Sequence, residues 1–133
     1  MDAAQALADL TEISSQIEAA VLFDDTGAIA GSTLADEQAA QALARSAADL
    51  LGGAASFRSN GADVTQLEAS TSEGSVFVVR DGSRRIAATT GPSPTVGLVF
   101  YDLKSCLRGT EAAPEPAKPK PRRTKKEVTG GEA

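Results

Sequence analysis

The sharpest chemical pattern in this chain is Asp25-Thr26-Gly27-Ala28, preceded by the apolar run Ala19-Ala20-Val21-Leu22-Phe23. In dimeric aspartic proteases such a tetrapeptide supplies one of two carboxylates that share a proton, one from each subunit. Those proteases are nearly all β, whereas this chain has strong helical stretches. The favoured reading is therefore local: Asp24-Asp25-Thr26-Gly27 is a hairpin turn with Gly27 at positive φ. A phosphatase-type aspartate motif needs a second Asp two residues after Asp24, where Thr26 stands instead. No Gly-x-x-x-x-Gly-Lys-Ser/Thr occurs, so the chain is not itself a P-loop GTPase. Cys106, the one thiol, lies beside Leu107 without a basic cluster and reads as a packing residue. Arg45 has the chemistry of an arginine finger for a partner's nucleotide site; the simpler reading is a helix-surface charge with Asp49 at i+4.

The wider composition narrows the chemistry further. The chain has 133 residues, no His, one Cys, no Trp and only five Phe and Tyr. Without His, a Ser or Cys nucleophile lacks its usual base, and zinc and iron lose their commonest ligand. No catalytic residue, metal or other cofactor is expected. A single thiol forms no internal disulfide, no run of about 18 apolar residues occurs, and the first residues lack a signal-peptide pattern. The expected location is the cytoplasm, without membrane insertion.

Charge divides the chain. Residues 1–108 hold 7 basic and 14 acidic side chains, while residues 109–133 hold 6 basic and 4 acidic. The second segment also holds Pro114, Pro116, Pro119 and Pro121 and almost no large apolar residue, so a disordered tail is expected beside one folded unit of residues 1–108. Its run from Lys118 to Lys126 carries six positive charges, which could touch nucleic acid or another anionic surface. No aromatic residue interleaves them, so a solvated tail is the favoured reading.

The elements that must position these residues follow from periodicity. Asp2 caps a first helix through Ala3, Leu7, Leu10 and Ile13 or Ser14. Residues 19–23 form a buried strand, and residues 28–32 return beside it as a hairpin. Thr33 with Asp36 has capping-box spacing, and Gly52-Gly53 reads as the stop of an Ala-rich helix. Ala39, Leu43, Ala47 and Leu50 share one face of that helix, and Gln38, Gln41, Arg45, Ala48 and Asp49 the opposite one. Beyond a turn at Ser59-Asn60-Gly61, residues 64–71 alternate and are half polar, as an edge strand should be. Residues 76–79 form an inner strand, and Asp81-Gly82 turns into residues 85–89. Ser93 and Pro94 open a last helix, with Val96, Val99 or Phe100, Leu103 and Leu107 as its stripe and Gly109 as its end.

This α-β-β-α-β-β-β-α order resembles the roadblock / dynein-light-chain family. The residues that carry the likeness are Ala20-Val21-Leu22-Phe23-Asp24-Asp25-Thr26-Gly27-Ala28-Ile29-Ala30, similar to the family's first hairpin, and Gly74 through Leu107, with Gly97 early in the last helix. The resemblance implies an α+β, profilin-like sandwich with a five-stranded antiparallel sheet, the Ala-rich helix on one face and the terminal helices on the other. It also implies a homodimer, or a heterodimer with a related subunit, formed by residues 64–71 edge to edge and residues 35–51 side by side. The interface candidates are Gln38, Gln41, Ala42, Arg45, Ala48, Asp49, Val64, Gln66, Glu68 and Ser70. The implied partner is a small Ras-like GTPase, regulated or scaffolded without a catalytic residue or small-molecule substrate of this chain. The alternatives are a PAS- or GAF-like small-molecule sensor, for which five aromatic residues offer little pocket lining, and a nucleic-acid-associated protein acting through its tail.

Overall fold

A computed structural model of the chain describes residues 2–57 and 64–112. The expected turn at Ser59-Asn60-Gly61 and the segment from residue 113 onward, including the Lys118 to Lys126 run, lie outside the described residues. The elements are α1 (Ala3–Ile13), β1 (Ile17–Asp24), β2 (Ile29–Ser32), α2 (Glu37–Ala55), β3 (Gln66–Thr71), β4 (Gly74–Asp81), β5 (Arg84–Thr90) and α3 (Val96–Ala112). The five strands form one antiparallel sheet in the order β2-β1-β5-β4-β3. Type and order of all eight elements match the sequence reading.

Alternation in the strands divides the core into two layers. Ala20, Leu22, Phe77, Val79, Ile86 and Ala88 face α1 and α3, where Leu7, Leu10, Val99, Leu103 and Leu107 meet them. Val21, Phe23, Val78 and Ala87 face α2, which presents Ala40, Ala44, Ala47 and Leu51. Three alanines in that seam let the helix backbone approach the sheet closely. The buried face is turned by about one residue from the expected one: Ala39, Leu43 and Leu50 are only half-buried. With so many small side chains the helix carries little periodic contrast, and the sheet decides its rotation.

Helix ends depart from the sequence reading in four places. Asp2 caps α1 as expected, accepting from the Gln5 N–H at 2.9 Å. At α2 the cap is Asp36, which accepts from the Gln38 N–H, and Thr33 is no part of it. The Thr33 hydroxyl instead accepts from the Ala20 N–H of β1 at 2.9 Å. Gly52 and Gly53 do not stop α2, which runs to Ala55 and closes on Ser56, whose hydroxyl donates to the Gly53 carbonyl at 2.7 Å. Ser93 cannot cap α3, because it sits at φ 59° between Pro92 and Pro94. The first helical turn hangs from Thr95, whose N–H donates to the Gln16 side chain at 2.6 Å and whose carbonyl accepts from Val99. Gly109 likewise lies inside α3.

Two glycines in the last turn of an exposed helix carry an entropic cost and no packing benefit, since a Cβ at either would meet open space. Replacing both with Ala is expected to raise unfolding free energy by about 1–2 kcal/mol. The urea midpoint measures this; a fall would mean that the final turn of α2 is not helical in solution.

Candidate interaction site

The Asp-Thr-Gly sequence is a structural turn. Asp24, at the end of β1, accepts from the Thr26 N–H at 2.8 Å, the Thr26 hydroxyl at 2.6 Å and the Ala28 N–H at 3.0 Å. Gly27 takes φ 89° to complete the reversal, as expected. These donors, the Thr26 hydroxyl foremost, hold the Asp24 carboxyl below its usual value of 3.8. Asp25, the residue that a protease motif would use, is exposed to solvent. Because the folded chain depresses the Asp24 pKa, the turn is strengthened above the ordinary carboxylate pKa, and that gain is lost as pH falls through the lower folded value. Asp24→Ala is expected to melt below the parent at about pH 7, with the gap narrowed at about pH 3. Thermal melts at the two pH values measure it.

Cys106 is buried in α3, and its thiol donates to the Ala6 carbonyl at 3.5 Å. Burial, with the nearby Asp9 carboxylate, pushes the thiol up to about 11, so it is protonated at neutral pH. This is the packing residue expected from sequence.

The interface candidates fall on two separate surfaces. Gln38, Gln41, Ala42, Arg45, Ala48 and Asp49 all lie on α2, and of these Gln41, Arg45 and Ala48 line a groove of about 720 Å³ between the helix and the β1–β2 turn, opposite Asp25, Thr26 and Ser32. That groove lies toward β2, the sheet margin opposite β3. Glu37 of α2 and Asp25 of the turn line it from opposite sides, a convergence that is not legible in sequence because it needs the hairpin folded beside α2.

Gln66, Glu68 and Ser70 lie on β3, which pairs only with β4 among the described residues. Val64 precedes the strand and packs against the α2-side core. The Thr65 carbonyl accepts from the Arg80 N–H at 2.8 Å, which sets the phase of the ladder. Hydrogen-bonding direction alternates along an antiparallel strand, so Leu67, Ala69 and Thr71 point their backbone groups at β4. Gln66, Glu68 and Ser70 point theirs outward. On the α3 side of this edge, the Glu68 carboxylate accepts from the Ser70 and Ser75 hydroxyls. Among the described residues no strand pairs with these outward backbone groups, which suits the edge to strand addition.

No family model matches the sequence, and no curated protein matches it. The architecture does match solved structures. A roadblock/LC7 domain from Streptomyces avermitilis superposes with a TM-score of 0.75 at 18% identity, over 84% of this chain and 97% of that one. The chain has the roadblock fold. The gliding protein MglB from Thermus thermophilus superposes on this chain at 0.69 with 12% identity, over 83% and 86% of the two chains. Myxococcus xanthus MglB gives 0.66 with 17% identity, over 83% and 88%. A tetrameric arrangement of MglB also gives 0.66, with 15% identity over 87% and 90%. These neighbours bear out the α+β sandwich expected from sequence.

Proposed function

We propose that this chain is a non-catalytic, cytoplasmic interaction module that pairs with a second roadblock-type chain through β3 and offers the α2 groove to a small Ras-like GTPase. The observation that carries the proposal is the open β3 edge on a roadblock fold. Gln66, Glu68 and Ser70 offer six outward backbone groups to an antiparallel copy of the same strand, and each hydrogen bond made contributes about 0.5–1.5 kcal/mol. The separation of the α2 groove from that edge lets one chain engage a partner of each kind at once. Asp24, whose carboxyl is held below its usual value, is engaged in holding a turn.

The test uses the full chain. Glu68→Pro removes an outward N–H without breaking the β4 ladder, and is expected to weaken self-association by about 100-fold. Sedimentation velocity measures this; an unchanged mass would sink the edge-pairing reading. Ala48→Glu is expected to abolish binding of the GTPase loaded with a GTP analogue, measured by calorimetry, with Arg45→Ala leaving partner hydrolysis intact. Binding that survives Ala48→Glu would move the GTPase off this groove.

A further inference from the structure

On the layer opposite α2, the packing of α1 against α3 leaves unusual side chains in solvent. Ile13 is 71% exposed, Tyr101 64% and Leu98 50%. Ile13 and Tyr101 wall a cavity of about 280 Å³ between the two helices, floored by Leu10 and Cys106, with Asp9 and Asp102 also lining it. Gly109 closes the end of this groove that lies toward Ala112, the last residue of α3. The end of α3 is pinned: the Arg84 guanidinium donates to the Leu107 carbonyl at 2.7 Å and to the Thr110 hydroxyl at 2.8 Å. Chain leaving the helix therefore starts from a fixed point beside the groove.

The sequence that follows has the chemistry the groove lacks. Within 14 residues of Ala112 come Pro114, Pro116, Lys118, Pro119, Lys120 and Pro121, then Arg122, Arg123, Lys125 and Lys126. Proline-rich extended segments dock on aromatic-walled grooves at little ordering cost, and Tyr101 supplies the aromatic wall. Asp9 supplies the complement to Lys118 and Lys120, with Asp102 buried in the same cleft. The reach is sufficient. From Gly109 back to Tyr101 is about 12 Å along the helix axis at 1.5 Å per residue. A polyproline-type segment covers that in about four residues at 3.1 Å each, fewer than the seven of residues 114–120.

We propose that the α1–α3 groove binds the Pro114–Lys120 segment of the same chain. Occupancy covers Tyr101 and Ile13 and holds the six-charge run along the acidic folded unit. Any partner that uses either surface then competes with this contact.

The chain has one Tyr and no Trp, so its intrinsic emission reports on this groove alone. Acrylamide quenching is measured on the full chain at low salt, at about 0.5 M salt where attraction between exposed charges is screened, and on a Lys118→Glu, Lys120→Glu variant. Parent Tyr101 at low salt is expected to quench with a constant about twofold below that of the variant, and to approach it as salt rises. Asp9→Arg should give the same release from the other side of the contact. Equal constants for parent and variant at all salt concentrations would overturn the proposal. Shielding that disappears on dilution would also overturn it, because it assigns the groove to the tail of a second copy.

Discussion

Phe77→Ala is expected to lower unfolding free energy by about 4 kcal/mol and the melting temperature by roughly 20 °C. Phe77 is wholly buried at the centre of β4 and meets Phe100 of α3 edge to face, with ring centroids 5.0 Å apart. Truncation removes the transfer energy of the ring, leaves a cavity between sheet and α3, and strips the aromatic contact from a half-buried Phe100. Neighbours fixed in the sheet, Val79 and Ile86, cannot close the space. Phe77→Leu should cost far less, about 1 kcal/mol, because most of the volume is kept. Urea unfolding of the three chains measures the series, and a difference below about 1 kcal/mol between Ala and parent would contradict the layer assignment.

The second large effect comes from a main-chain contact. At Gly74, the first residue of β4, an added Cβ would overlap the backbone carbonyl of Thr90 on β5. No side-chain rotation relieves a clash with backbone, so the start of β4 must separate from β5. Gly74→Ala is expected to cost about 3 kcal/mol, at the upper end of overpacking substitutions. The hairpin is also held by the Thr71 hydroxyl, which donates to the Gly74 carbonyl at 2.9 Å and accepts from its N–H at 3.2 Å. Displacing Gly74 therefore displaces Thr71 and the end of β3. Self-association is expected to fall together with the melting temperature, and a Gly74→Ala chain that melts like the parent would refute the close approach.

These two residues show why some parts of the fold are readable in sequence and others are not. The strands around Phe77 are legible because a short apolar run between turn residues has few alternatives, and Asp24 to Gly27 is legible because its turn chemistry is local. Helix ends are less so. Gly52, Gly53 and Gly109 have the local character of stops, yet Leu51 and Leu107 are anchored in the core, and packing extends each helix beyond its glycine. The hairpin after β4 turns through Gly82 and Ser83 rather than Asp81 and Gly82, since Asp81 pairs with Arg84 in the ladder. The candidate surfaces divide along the same line. The half-polar character of β3 is written in its own residues, whereas the groove beside Arg45 and the cleft at Tyr101 arise only when distant segments meet.

The sheet order bears on how the chain is made. β1 lies between β2 and β5, and its partner Thr90 is far along the chain from Ile17. A ribosome adding about 5–20 residues per second leaves several seconds between the emergence of β1 and that of β5. During that interval the hairpin of β1 and β2 has one unsatisfied side, and it belongs to Ala19-Ala20-Val21-Leu22-Phe23, the most apolar strand in the molecule. The nascent chain is thus most prone to aggregation at a strand that is completely enclosed once synthesis ends.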